Sequence, residues 1–197
     1  DAIIALAHPR DWQLQILLVP PEPGGCVRGG RHGLGMHVTV SLPDEAATQA
    51  LGARLAQRLI APRTLLLSGG LGAGKTTLAR AFLRALLADP ALEVPSPTYT
   101  LVQTYDGPAG PVWHCDFYRL ADPGEAAELL DPQALAEAFV LIEWPERLGP
   151  YRPHPALDIR LELTDRGRMA VLSGLAPEEW PNEPNPPDSP EGLEARS

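Results

Sequence analysis

No stretch of this 197-residue chain approaches 18 consecutive apolar residues, so no helix in it is expected to cross a membrane. Cysteine is scarce. Cys26 and Cys115 lie far apart, without the CxxC or Cys/His spacing of a metal site, so neither a disulfide framework nor bound zinc is predicted and a reducing cytoplasm fits. Cys115 reads as a small buried hydrophobe. The N-terminal residues show no basic leader followed by an apolar stretch and a small-residue cleavage site, and no signal peptide is expected. Basic surface is also short. The net charge is −9, residues 175–197 hold six acids against one Arg, and no segment carries the basic stripe that grips a phosphate backbone. If nucleic acid matters to this chain, a partner is expected to hold it. Lysine is nearly absent: 15 of the 16 basic residues are Arg, and the exception is Lys75.

What is present suits a globular protein. The chain is 44% hydrophobic and 21% charged, enough for one sizeable core and too little for two ordinary domains. Residues 1–35 are dominated by turn and breaker residues, which predicts poor order apart from a possible short strand over 13–19. A patterned region opens at Met36, so the folded domain is expected to span 36–174. From Leu175 on, six prolines and six acids leave too little apolar surface to fold, which predicts a disordered tail over 175–197.

Within 36–174 the pattern reads strand (37–41), helix with Ser41 or Asp44 as cap, and a compact apolar strand at Thr64–Ser68. A glycine-rich turn over 69–74 follows, then a helix over 75–88. Extended stretches to Tyr105 and over 112–118 read as a hairpin with a slightly long loop. A helix over 122–138, a second compact apolar strand at Phe139–Ile142, and a hairpin around Asp165-Arg-Gly167 complete the order. This is an α/β pattern with a mixed sheet, parallel in the middle and antiparallel at an edge.

The turn Gly69-Gly-Leu-Gly-Ala-Gly-Lys-Thr76 satisfies G-x-x-x-x-G-K-[ST]. Glycines let the backbone point its N–H groups inward at phosphate oxygens. The helix that follows adds its positive end. The Lys75 ammonium is placed for the β and γ phosphates, and the Thr76 hydroxyl for Mg²⁺. The competing reading, a plain glycine-rich turn with an ordinary lysine, is disfavoured by the apolar strand before it and the helix after it.

A P-loop ATPase also needs a carboxylate for Mg²⁺ and a group that orients the attacking water. Glu143 ends the apolar strand 139–142, and Asp116 lies inside Val112-Trp-His-Cys-Asp-Phe-Tyr118; solvated acids at strand ends are the bland alternative for both. His114 shares a strand face with Asp116 and reads slightly better as core than as a site residue. Thr98 and Thr100 are candidates for sensing a γ-phosphate or are ordinary turn residues. Arg119, Arg147 and Arg166 are candidate phosphate clamps or surface arginines.

Leu71-Gly-Ala-Gly-Lys-Thr-Thr77, Ser96-Pro-Thr-Tyr-Thr-Leu-Val102, His114-Cys-Asp-Phe-Tyr-Arg-Leu120 and Ile142-Glu-Trp-Pro145 occur in that order. Together they resemble the TsaE (YjeE) family, bacterial ATPases needed to make N6-threonylcarbamoyladenosine in tRNA. The resemblance covers about residues 37–174. It implies a three-layer P-loop domain with a mixed, centrally parallel sheet of seven strands. It implies ATP held by Gly70, Leu71, Gly72, Ala73, Gly74, Lys75, Thr76 and Thr77. Trp144 would lie near the nucleotide, and Leu42 and Pro43 are candidates for touching the adenine. Thr76 and Glu143 would hold Mg²⁺, with Asp116 as catalytic acid and Ser96–Thr100 as a switch segment. The implied partner is the TsaB–TsaD complex, with tRNA bound through it and the transfer chemistry done by TsaD. One departure stands out: the family usually has Asp after the first glycine of the loop, where this chain has Gly70. That is expected to bear on hydrolysis rate more than on binding.

Two other functions fit a P-loop: a small-molecule kinase, which usually needs an arginine-bearing lid not visible here, and a nucleotide-gated binding module with incidental turnover. A GTPase is disfavoured, because an NKxD motif needs a second lysine.

Overall fold

The computed structural model describes residues 14–18, 36–58, 64–130 and 132–174. The tail predicted over 175–197 lies outside these residues, and so do residues 1–35 except for 14–18. There the structure has a strand, β1 (Leu14–Leu18), which pairs antiparallel with β2 (Met36–Leu42).

After β2 comes α1 (Glu45–Arg58). Asp44 is the residue that caps it: its Oδ1 accepts the Ala47 N–H at 2.7 Å. The apolar run becomes β3 (Thr64–Gly69), whose Leu65, Leu66 and Leu67 are fully buried, as a strand covered on both faces requires. It feeds through the glycine turn into α2 (Lys75–Leu86). The hairpin is β4 (Val102–Gly107) and β5 (Gly110–Asp116). Its connection is shorter than the sequence suggested: Gly107 pairs with Gly110, so only Pro108 and Ala109 turn the chain. Gly110, with φ +121°, takes a backbone conformation that a side chain would oppose.

The single helix expected over 122–138 is two helices, α3 (Pro123–Leu129) and α4 (Pro132–Glu137). Pro132 has no N–H to donate and disfavours helical geometry in the residue before it, so it ends one helix and begins the next. Asp122 caps α3 through the Gly124 N–H at 2.8 Å. The second apolar run is β6 (Phe139–Glu143), followed by a 3₁₀ segment, Pro145–Tyr151. The last hairpin is β7 (Leu157–Thr164) and β8 (Gly167–Ser173).

The strands lie in the order β1-β2-β8-β7-β3-β6-β5-β4, one strand more than the seven implied. Pairing is parallel across β7, β3, β6 and β5, and antiparallel on both flanks. One core packs α1 and α2 on the sheet through Leu51, Leu55, Leu78, Phe82 and Leu83. A second lies on the opposite side, where Phe117, Ala126, Ile142 and Leu148 pack. The result is three layers, α/β/α. Helices α1 and α2 cross closely at Gly52, where a Cβ would meet the Leu78 carbonyl oxygen at 2.6 Å. That crossing holds α2, and so Lys75 and Thr76, at the carboxyl ends of the parallel strands, where ligands bind in open α/β sheets.

Candidate functional site

The glycine turn between β3 and α2 is set by backbone conformations that L-residues resist. Gly69, Gly72 and Gly74 have φ of +134°, +74° and +103°. Gly69 has a second constraint, since a Cβ there would meet the Leu161 carbonyl oxygen at 2.3 Å. Ala73, 1% exposed, anchors the loop to the core. Gly70 differs from the other glycines. A Cβ there meets nothing within 4 Å, and its φ lies outside the left-handed range.

Inside the curve, Lys75 Nζ donates to the carbonyls of Gly69 and Gly70 at 2.7 and 2.8 Å. It also sits 3.7 Å from the centre of the Trp144 ring, which packs on Tyr118 at 4.8 Å. Burial lowers the Lys75 pKa, and the carboxylates of Glu143, Glu146 and Asp116 pull it back. Trp144 reaches this place because the chain leaves β6 in the left-handed region, with φ +61°, while its N–H donates to the Leu67 carbonyl at 3.1 Å.

Two carboxylates face the loop. β5 and β6 are parallel neighbours in which Asp116 pairs with Glu143, so both acids end their strands side by side. Glu143 Oε2 accepts from Thr76 Oγ1 at 2.9 Å, and Oε1 lies 2.9 Å from His114 Nε2. His114 is therefore both fully buried and bonded to a site carboxylate, where the sequence reading leaned to core alone. Asp116 Oδ2 accepts from Ser96 Oγ at 2.7 Å and Thr98 Oγ1 at 2.8 Å, and Oδ1 accepts the Tyr118 N–H at 3.0 Å. The Ser96–Thr100 segment is thereby tied to Asp116. Neighbouring Cys115 faces the other core, and burial pushes its thiol up to about 12, far from reactive.

The loop, both acids, Ser96 and Thr98 border a cavity of about 360 Å³. Of the predicted residues, Leu71, Gly72, Gly74, Lys75, Thr76 and Thr77 line it, together with Asp116, Glu143 and Trp144. Gly70, the exposed first residue of the loop after β3, and the buried Ala73 do not line it. Leu42 is buried in the core and Pro43 is exposed, and neither lines the cavity. Arg119 stacks on the exposed Tyr99, 4.2 Å from its ring centre; Arg147 is exposed, and Arg166 lines a separate hollow on the sheet.

The arginine that enters the cavity is Arg168, which the sequence reading did not single out. A Cβ on Gly74 would lie 3.3 Å from its Nε, and that nitrogen is buried with no hydrogen-bond partner among the described residues. Alternation was the available signal. Arg168 shares a strand face with Ala170 and Leu172, both fully buried, so its charge points toward the helices rather than to solvent.

An anion would find here an ammonium, an unsatisfied guanidinium nitrogen and the N-terminus of α2. Among the described residues no cluster of three or more His, Cys, Asp or Glu could hold a metal by itself. The Thr76 hydroxyl and Glu143 carboxylate do converge, and a hard cation needing further oxygens would take them from phosphate and water, as Mg²⁺ does.

The model of the family described as "Threonylcarbamoyl adenosine biosynthesis protein TsaE" matches residues 42–170. The chain belongs to the TsaE family. It is 36% identical over 124 residues to a tRNA threonylcarbamoyladenosine biosynthesis protein TsaE of Rickettsia bellii, covering 63% of this chain and 85% of the relative. A protein of the same description from a Nostoc species is 36% identical over 141 residues, covering 68% and 84%. The Mycobacterium bovis one is 37% identical over 141 residues, covering 67% and 83%. Among solved structures, Bacillus subtilis YdiB superposes with a TM-score of 0.59 at 22% identity, covering 75% of this chain and 92% of that one, and so shares the fold.

Gly70 stands where the sequence resemblance implied an Asp. The open space there means that Gly70→Asp should fold normally. If the chain hydrolyses ATP, the added carboxylate beside the phosphates should raise phosphate release by roughly tenfold, equivalent to about 1.4 kcal/mol in the barrier. Nucleotide affinity should change little. Single-turnover phosphate release beside calorimetric binding checks this; an unchanged or slower release would show that the carboxylate is dispensable in this chain.

Proposed function

We propose that this TsaE-family chain is the ATP-binding and ATP-hydrolysing subunit required for N6-threonylcarbamoyladenosine modification of tRNA, acting in the cytoplasm on the TsaB–TsaD complex. The observation that carries the ATPase reading is the 2.9 Å bond from Thr76 on α2 to Glu143 at the end of β6, beside the loop-bound Lys75. A hydroxyl at the helix start and an acid at the neighbouring strand end are the pair that P-loop ATPases use for Mg²⁺. Thr76 and Glu143 would hold Mg²⁺, which when bound neutralises charge on the β and γ phosphates. Lys75 exchanges its two carbonyl acceptors for phosphate oxygens, a stronger charge-assisted contact. Arg168 gains the acceptor its buried Nε lacks. Asp116 orients the attacking water once Ser96 and Thr98 release it.

The partner assignment rests on the family and on charge. A chain of net charge −9 without a basic stripe is poorly suited to grip tRNA, which a partner complex would hold instead. The test is co-purification with TsaB and TsaD, then phosphate release with and without them; stimulation by the pair is expected, and no association would overturn the assignment. Release as free phosphate, not transfer to an acceptor, distinguishes the ATPase from a kinase.

One specific observation favours a second reading, a nucleotide-gated binding module: both Asp116 oxygens are already occupied by protein donors. If Glu143→Ala abolished turnover yet left partner-dependent tRNA modification intact, the module reading would replace the ATPase.

A further inference from the structure

His114 is the member of the His114–Leu120 motif that the loop, the two acids and the switch segment leave without a role. It is fully buried, on the same strand face as Asp116, and its Nε2 is 2.9 Å from Glu143 Oε1. Its other nitrogen, Nδ1, is buried and has no partner among the described residues. The tautomer follows from these partners. A proton on Nε2 meets a carboxylate oxygen and leaves only a lone pair unsatisfied at Nδ1, whereas a proton on Nδ1 would strand a buried donor and set two lone pairs against each other. Glu143 is thus gripped from two sides. His114 takes Oε1, and the Thr76 hydroxyl donates to Oε2 at 2.9 Å. Without His114, a carboxylate 1% exposed would have one unsatisfied oxygen with no group fixing its orientation.

We propose that His114 is a positioning residue for the divalent-cation site: its Nε2–H fixes Glu143 Oε1, so that Oε2 alone, beside the Thr76 hydroxyl, is presented to the cation. This rests on the reading of Thr76 and Glu143 as cation ligands. It predicts a defect in Mg²⁺ binding rather than in nucleotide binding, because among the described residues the imidazole is bonded to Glu143 and to none of the groups that would hold the triphosphate.

The test measures binding of a non-hydrolysable ATP analogue to the full chain by calorimetry, with excess EDTA and across a Mg²⁺ titration. His114→Phe keeps the ring volume and removes the donor; His114→Gln restores an N–H near the Nε2 position. Apparent Mg²⁺ affinity of the nucleotide-bound protein should fall about 10–100-fold in His114→Phe, the usual cost of losing a group that orients a ligand. It should return to within a few-fold of the parent in His114→Gln, while binding in EDTA stays the same in all three proteins. Unchanged Mg²⁺ affinity in His114→Phe overturns the proposal, and so does failure of His114→Gln to recover it. If His114→Phe does not fold, the ¹⁵N spectrum of the parent decides: the Nε2–H tautomer supports the proposal and the Nδ1–H tautomer overturns it. Absence of any Mg²⁺ effect in the parent protein would instead remove the cation reading of Glu143, and this inference with it.

Discussion

Lys75→Ala should weaken ATP binding by at least a hundredfold, about 2.7 kcal/mol or more. Its ammonium is the strongest cation inside the loop, and it is already desolvated and aimed, bonded to the Gly69 and Gly70 carbonyls and stacked on Trp144. Burial lowers its pKa while three nearby carboxylates oppose that shift, and an incoming triphosphate would further favour the charged form. Lys75→Arg is the sharper variant. Fifteen arginines serve this chain elsewhere, so a cation of that kind is tolerated in general. A planar fork cannot reproduce a compact ammonium held between two carbonyls and a ring face, and Lys75→Arg should also bind at least tenfold more weakly, about 1.4 kcal/mol. Calorimetry with the ATP analogue, beside thermal unfolding to confirm that each variant is folded, measures both. Parent-like affinity in Lys75→Ala would remove the nucleotide site from this loop.

The second large effect is expected at the other acid. Asp116→Asn should reduce phosphate release by about a hundredfold or more, the usual contribution of a positioned acid or base, and leave nucleotide affinity within a few-fold. Asp116 lines the same cavity as Lys75, but among the described residues it makes no hydrogen bond to the loop: it ends β5 beside Glu143 and is held by Ser96, Thr98 and the Tyr118 N–H. The amide keeps that shape; its oxygen can accept from the two hydroxyls, its NH₂ then loses the Tyr118 N–H contact, and thermal unfolding checks that the fold persists while a carboxylate that can orient water is lost. Single-turnover phosphate release, with the binding measurement beside it, separates the two quantities. Equal loss of binding and turnover would make Asp116 part of the nucleotide site, and unimpaired turnover would free it of any role in hydrolysis.

The loop was legible in sequence because its chemistry is contiguous: glycines, lysine and threonine act within eight positions, and local backbone rules give each a reason. The buried strands β3 and β6 were legible because strands covered on both faces must be apolar throughout. The break between α3 and α4 was present in Pro132 but was overridden by the helical spacing around it. The short turn at Pro108–Ala109 depended on Gly107 and Gly110 pairing across the hairpin, which local composition does not fix.

By itself, then, the chain's order of residues determined an α/β class, the phosphate loop, the two strand-ending acids and the family resemblance, because each depends on neighbours along the backbone. Tertiary structure decided which distant groups meet. The sheet order brings β5 and β6 together, so that His114 grips Glu143 from 29 positions away, and the packing of α2 on that sheet brings Thr76 to Glu143 across 67. The placement of β8 between β7 and β2 carries Arg168 over the loop glycines. Such contacts follow from strand pairing and helix docking, which satisfy backbone hydrogen bonds and bury apolar faces over the whole domain, and no local pattern encodes their outcome.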